Sequence, residues 1–370
     1  MSKRYLVIGA GISGAVIARG MADGSDSTVE VWDSRSHVAG NCHTGRDPKT
    51  GIMIHEYGPH IFNTDREDIW AYVNRFATFR PYRNQVKACT SRGIFSLPIN
   101  LHTINQFYRR TFSPQEAREF ISRLPKEGIE EPQNLEEQAI KFVGRDLYET
   151  FIKGYTEKQW GCDPKLLPAS IIKRMPIRFN YDDNYYHARL QGIPEEGYTE
   201  MIKSILDHPR MTVTLGKRFE RGMEAGYDHV FYCGPIDAFF DYKLGRLGYR
   251  TVTFERIDAE GDFQGNAVIN YPGLEVAYTR IHEHKHFAPW ESHERTVAFR
   301  EYSQATKLHD TPYYPMRLPE DLKRLEAYQA HAQEFPRFTF VGRLGTYQYM
   351  DMDDAIAEGL QVVETELSQS

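Results

Sequence analysis

The chain predicts an α/β fold whose first and last segments form one doubly wound nucleotide-binding domain, interrupted by a helical insertion and a β insertion. Three observations lead there. Residues 4–8 (RYLVI), the GAGISG turn, AVIARGMA and residues 28–33 (TVEVWD) read as strand, turn, helix and strand, the opening βαβ of a doubly wound sheet. From 99 to about 175 the pattern is helical, with charged faces and end signals. Between 246 and 300 it reads as strands, and FTFVGR (338–343) followed by DDAIAEGLQVVETEL returns to a strand and an amphipathic helix.

In the helical stretch, Ser113-Pro114 before QEAREFISRL is a start signal, since a Ser oxygen can accept from the unpaired amides of a first turn. Asn134 before LEEQAIKFVG is another, with Gly144 as its stop. The strands expected next are YRTVTFERI, GNAVINY, VAYTRIHEHKHF and RTVAFREY. The expected units are a discontinuous nucleotide-binding domain (1–83, 195–243 and 318–370), a helical domain (99–180) and a β-sheet domain (84–98, 181–194 and 244–317).

Bulk properties exclude several classes. With 370 residues and 41% hydrophobic content the chain suits a multidomain globular enzyme, and no apolar run reaches the ~20 residues of a bilayer crossing. The start MSKRYLVIGAG is too short for a secretory leader, so the cytoplasm is the expected location. A net charge of -6 argues against a nucleic-acid partner. The four cysteines, 42, 89, 162 and 233, are scattered without a CxxC pair and read as reduced thiols.

Gly9, Gly11 and Gly14 form GxGxxG between the first strand and helix, and Asp33 closes the second strand. Such glycines allow a tight turn, close backbone approach to a pyrophosphate, and close helix–strand packing, while the acid accepts from a ribose hydroxyl. A Rossmann-type dinucleotide site follows. Two features favour FAD over NAD. Ala39-Gly40-Asn41 resembles the second glycine pair of glutathione-reductase-like flavoproteins, and a strand ending at Gly342-Arg343 leads to Asp351 before the last helix. That helix N-terminus can face the flavin's pyrimidine edge or ribityl chain.

A second constellation is GYTEKQWG (154–161), with Tyr155, Thr156, Lys158 and Trp160 between two glycines. Arg174 in IIKRMPIRF, Arg280 in YTRIHEHKHF, and the tyrosines of TPYYP (311–315) accompany it. Guanidinium forks match phosphate oxygens, so a diphosphate substrate would use such arginines.

These motifs, together with HEYGPHIFNT, NLEEQAIKFVG, QGIPEEGYT, GPIDAFFDY, QGNAVINY and the GRL…YMDM ending, resemble the bacterial UDP-galactopyranose mutases from residue 4 to about 360. The resemblance implies a Rossmann-type FAD-binding domain, a helical domain and a twisted antiparallel β-sheet domain, in a flavoenzyme that interconverts UDP-galactopyranose and UDP-galactofuranose, the latter for cell-wall or polysaccharide synthesis. Reduced FAD would act through N5 at the anomeric carbon, with UDP leaving and no net redox change, so an external reductant is implied. It further implies a homodimer as an expectation.

Residue by residue, the resemblance makes Arg174 (on a mobile loop), Arg280 and His60 catalytic, the arginines holding the diphosphate and His60 lying beside the isoalloxazine. Phe151, Tyr155, Thr156 and Trp160 would take the uridine, Tyr185, Tyr314 and Tyr349 the phosphates, and Asn63, Asn84 and Asn270 the remainder of the substrate. Cofactor contacts would come from Gly9, Gly11, Ser13, Gly14, Asp33, Ser34, Gly40, Asn41, His60, Ile61, Arg343, Met350, Asp351, Met352, Asp353, Asp354 and Ala355. Asn63 departs from the family's usual His, so the same chemistry on an N-acetylated or 6-deoxy nucleotide sugar is an alternative, as is an amine-oxidase-like FAD oxidoreductase. Ala39 stands for the usual first glycine of the Gly-Gly pair.

No metal is expected. HEYGPH misses the zincin spacing, and its Gly-Pro breaks the helix that motif needs. His282, His284 and His286 alternate along a predicted strand and read as one polar face.

Overall fold

The computed structural model describes residues 2–124, 126–174 and 177–369, apart from the side chains of Lys173 and Arg174. Its first sheet is wholly parallel, with strands Arg4–Ile8, Thr28–Asp33, Met211–Leu215, His229–Tyr232 and Phe338–Phe340. Arg4–Ile8 lies in the middle, followed outward by Thr28–Asp33 and Met211–Leu215 on one side and by His229–Tyr232 and Phe338–Phe340 on the other. The order reverses at the central strand, and at such a switch point the carboxyl ends of the strands leave a crevice for a ligand. The alternation in the strands is weak because both faces are covered: Leu6 and Val7 are both fully buried.

One face is closed by helix Ile12–Gly24 lying on the last helix, Met352–Ser368. Small residues let the two backbones approach. A Cβ on Gly20 would stand 2.7 Å from Val363, so a larger residue there would force the helices apart.

The second sheet runs in the order Tyr314–Pro315, Tyr249–Glu260, Arg295–Ala305, Arg280–Glu283, Val268–Asn270, Val86–Thr90 and Gly93–Leu97. Its pairs are antiparallel except one: Val268–Asn270 runs parallel to Val86–Thr90, where two distant segments meet. A small third sheet places Leu190–Pro194 between Phe62–Thr64 and Phe79–Pro81.

The helical stretch begins with Leu101–Tyr108 and continues with Pro114–Arg123, where Ser113 and Glu116 form a reciprocal capping box. Leu135–Val143 follows, with the Asn134 side chain accepting from the Glu137 amide at 3.0 Å, and Gly144 ends it at φ 81°. Such caps contribute about 1 kcal/mol each. A short helix, Arg145–Tyr148, passes through a π-helical turn, Glu149–Lys153, into helix Gly154–Trp160.

Two sequence expectations require correction. VAYTRIHEHKHF is not one strand: pairing stops at Glu283 and a 3-10 turn, His284–Phe287, begins. The Glu283 carboxylate causes the break by accepting from the Phe263, Gln264 and Gly265 amides and the Thr296 hydroxyl, which bends the chain around it. His282, His284 and His286 therefore do not share a strand face. FTFVGR likewise stops as a strand at Phe340; Gly342 adopts φ 74°, its amide donates to Glu358 at 2.6 Å, and Arg343 sits in a short helical turn. Among the described residues no helix is long and apolar enough to cross a membrane.

Candidate active site

A cleft of about 570 Å³ opens at the carboxyl ends of the parallel strands. Its walls include Gly9, Gly11, Ser13, Gly14, Asp33, Ser34, Gly40, Asn41, His60, Arg343, Met350, Asp351, Met352 and Ala355, nearly the whole set expected to touch a cofactor. Ile61, Asp353 and Asp354 stand outside it. Ile61 is buried in the core, Asp353 lies in the first turn of the last helix, and Asp354 pairs with Arg66 at 3.0 Å.

The backbone explains the shape. A Cβ on Gly14 would fall 1.9 Å from the Gly9 carbonyl, so only glycine lets the helix start beside the strand. Ala39 and Gly40 both adopt left-handed conformations (φ 74° and 53°), which brings the Gly40 backbone against Gly11. Gly40 meets this conformation at little cost, whereas Ala39 carries strain of order 1 kcal/mol. Asp33 accepts from the Ala10 and Arg35 amides, both at 2.8 Å, and so aims its remaining lone pairs into the cleft. The Arg35 side chain bonds Asn41 at 2.9 Å, yet its Nη1 has no hydrogen-bond partner among the described residues. A narrow glycine cradle, a carboxylate and an unpaired guanidinium N–H form a donor and acceptor set suited to a dinucleotide.

At the His60 and Arg343 end, the tyrosines and Arg280 converge. Arg280 reaches the buried Glu301 carboxylate at 2.9 Å while 24% of its side chain stays exposed. Burial works against its charge, but Glu301 and the Tyr155 and Tyr314 hydroxyls beside it hold its pKa well above the usual value. Tyr314 and Tyr349 stack with centroids 6.0 Å apart, and the Arg343 guanidinium lies 5.8 and 5.6 Å from their rings. Tyr185 lies close enough to Arg280 to feel its charge, and its amide donates to the Asn84 carbonyl at 2.7 Å. Burial, then the Arg343 and Arg280 charges, lower the His60 pKa to about 4, so the imidazole is neutral near pH 7. Its Nδ1 lies 2.9 Å from the Gly58 carbonyl.

Asn270 lies directly across the ladder from Arg280. The side-chain oxygens of Asn84 and Asn270 are buried without a partner among the described residues. Unmet acceptors of this kind cost roughly 1–3 kcal/mol each unless a ligand or water supplies a donor. Thr156 is buried and Trp160 half-buried against the core. Phe151 packs edge-on against Phe95 with centroids 5.2 Å apart, a core contact. Asn63 follows His60 on strand Phe62–Thr64, its Nδ2 donating to the Ile61 carbonyl at 3.3 Å. The Arg174 side chain lies outside the described residues.

Sequence reasoning missed Glu301, the cleft wall Lys217–Phe219 and the segment Tyr232–Pro235. Glu301 had a signal: it continues the Val297, Phe299 alternation on strand Arg295–Ala305, and an acid on an apolar strand face calls for a buried cation. Gly234 and Pro235 open the GPIDAFFDY motif, to which no site role was given, and Lys217–Phe219 carry no motif and arrive only through the chain crossing.

Among the described residues, Asp262, Glu283 and His286 bring potential metal-binding atoms within 4.8 Å of one another. Glu283 is already occupied by backbone amides, and the Lys285 ammonium stands 2.6 Å from Asp262, so the positive charge there comes from the protein.

Fold and cleft define a dinucleotide-binding protein of the Rossmann-like class, and residues 7–76 match the family model for an NAD(P)-binding Rossmann-like domain. Residues 150–349, which contain Tyr155, Arg280 and Tyr314, match the model of the UDP-galactopyranose mutases, and the chain belongs to that family of isomerases. It is 53% identical over 99% of its length to a probable UDP-galactopyranose mutase of Klebsiella pneumoniae, covering 95% of that protein. It is 48% identical over 98% of its length to a dTDP-fucopyranose mutase of Escherichia coli, covering 97% of it. A crystal structure of reduced UDP-galactopyranose mutase has the same fold, with a TM-score of 0.79 at 14% identity, covering 100% of this chain and 95% of that one.

Proposed function

We propose that the chain converts UDP-galactopyranose to UDP-galactofuranose and back, with reduced FAD as cofactor. The observation that carries this reading is the junction of two sites: the dinucleotide cleft ends at His60 and Arg343, where Arg280 and four tyrosines gather. The cleft suits FAD because its second end is built from Gly342, Arg343 and the Met350–Met352 segment that opens the last helix. Reduced FAD supplies, when bound, a nucleophilic nitrogen for the anomeric carbon.

The protein's own part is electrostatic and steric. Arg280 neutralises the diphosphate as UDP separates, and Glu301 keeps its guanidinium in place. Arg174 adds a second positive charge to the diphosphate. Tyr185, Tyr314 and Tyr349 donate to phosphate oxygens, and Tyr155, Thr156, Trp160 and Phe151 form the uridine end. Asn84 and Asn270 bring acceptors that have no partner among the described residues and suit sugar hydroxyls. Neutral His60 packs at the flavin without adding charge. In this reading the parallel-sheet segments hold the cofactor, the helical segment takes the base, and a homodimer in the cytoplasm draws electrons from an external reductant.

The test is turnover of UDP-galactofuranose before and after anaerobic dithionite reduction. The reduced enzyme turns over and the oxidised enzyme falls by at least about 100-fold, since the nucleophile is present only in the reduced form. Equal rates, or net oxidation of a substrate with peroxide release, overturn the reading.

Asn63 supports a second reading, in which a 6-deoxy or N-acetylated nucleotide sugar is preferred, and the relation to a dTDP-fucopyranose mutase is consistent with it. A panel of UDP- and dTDP-sugars separates the two. If Asn63 sets the sugar, Asn63→His moves the ratio of kcat/KM values between a galactose and a 6-deoxy or N-acetylated substrate by about 10-fold or more. An unchanged ratio removes Asn63 from specificity.

A further inference from the structure

The sequence singled out Lys158 within GYTEKQWG, but the proposed chemistry leaves it without a role. Its ammonium sits in a ring of backbone oxygens: the carbonyls of Tyr271 and Gly273 at 2.6 Å each, Tyr278 at 2.9 Å and Val276 at 3.1 Å. Four carbonyls converging on one point repel each other, and a cation at their centre is what makes the arrangement stable. Burial lowers the Lys158 pKa to about 8, against the pull of Glu275, so the side chain is still charged near pH 7.

Those carbonyls belong to the turn joining Val268–Asn270 to Arg280–Glu283. At its base Asn270 faces Arg280 across the ladder, and the Tyr271 amide donates to Thr279 at 2.9 Å. The far end of the turn is exposed, with Leu274 at 63%. The same helix presses on the turn at a second point, where a Cβ on Gly154 would fall 2.3 Å from the Pro272 carbonyl. The helix is itself fastened to the sheet: the Gln159 carbonyl accepts from Arg250 at 2.9 Å and from Ser303 at 2.7 Å. Lys158 thus lies between the element that carries Tyr155, Thr156 and Trp160 and the hairpin that carries Asn270 and Arg280.

We propose that Lys158 is a positioning residue: its ammonium acts as a built-in cation that clamps the Asn270–Arg280 hairpin to helix Gly154–Trp160, so that both present their side chains to one nucleotide-sugar site. The clamp is a statement about the fold, and its consequence for substrate rests on the mutase reading.

The experiment uses the FAD-loaded protein and two variants. Lys158→Met keeps the length and removes charge and donors; Lys158→Gln restores two N–H groups. Amide exchange is followed at Tyr271 and Thr279, and UDP affinity is measured by titration. Lys158→Met is expected to speed exchange at both amides and to raise the Kd of UDP, each by about tenfold or more, with Lys158→Gln in between. Flavin content and protection of helix Ile12–Gly24 stay at wild-type levels. Unchanged exchange at Tyr271 and Thr279 overturns the clamp, and so does an equal loss of protection in helix Ile12–Gly24, which would mark general destabilisation. If Lys158→Met does not fold, wild-type exchange in Lys158→Gln decides against the clamp and faster exchange for it. Failure of the wild-type protein to bind UDP counts against the mutase reading, while the exchange result still decides the clamp.

Discussion

Replacing Arg280 with alanine is expected to lower kcat/KM for the reduced enzyme by about 100- to 1,000-fold while FAD stays bound. A charge-assisted fork on a diphosphate that is leaving is an interaction strongest in the transition state, and losing one such donor commonly costs 100- to 1,000-fold, about 2.7–4 kcal/mol. Glu301 adds a second effect. It is fully buried, and without Arg280 its negative charge has no guanidinium beside it. Breaking a buried pair on one side costs roughly 3–5 kcal/mol of stability. The two effects can be separated. Arg280→Ala combined with Glu301→Gln regains much of the lost stability in thermal unfolding, because the stranded charge is gone, but regains no turnover. Arg280→Lys keeps the charge and still loses about tenfold or more, since a point ammonium cannot hold two oxygens in a plane. Near-full activity of Arg280→Ala would remove Arg280 from the diphosphate site.

The second large effect separates two glycines of one motif. Gly14→Ala is expected to yield protein that is colourless and largely misfolded, because the added Cβ would lie 1.9 Å from the Gly9 carbonyl and backbone cannot yield that far. The helix must swing away from the strand, at a cost of at least several kcal/mol against a total stability of about 5–15 kcal/mol. Gly11→Ala meets only the Gly40 Cα at 3.8 Å, ordinary contact. It should fold with a Tm within a few degrees of wild type and yet lose FAD, because its methyl occupies the path by which backbone approaches the pyrophosphate. Flavin absorbance per mole of protein and circular dichroism read both outcomes. A well-folded, yellow Gly14→Ala protein would contradict the packing, and a fully loaded Gly11→Ala protein would contradict the cofactor's position.

Much of this was legible in the chain because the relevant signals are local. GxGxxG, Asp33, the Ser113 and Asn134 caps and the Gly144 stop depend on neighbours a few residues away, and the structure has each in its expected setting. Errors arose where a distant group overrode the local pattern. The alternation of YTRIHEHKHF predicts a continued strand, but Glu283 gathers amides of 263–265 and turns the chain at His284. Gly342 leaves its strand for a bond to Glu358 on the last helix.

By itself the sequence determined the fold class, the dinucleotide cleft and the family, because periodicity, turn chemistry and dense motifs are carried by contiguous residues. Only the tertiary structure decided which groups meet: that Arg280 faces Glu301, that Asn84 and Asn270 both bury oxygens without a partner among the described residues, and that Lys158 holds the turn before Arg280. Those pairings join residues tens to hundreds of positions apart. Their energies come from burial and convergent charge, which exist only once the separate elements have packed together.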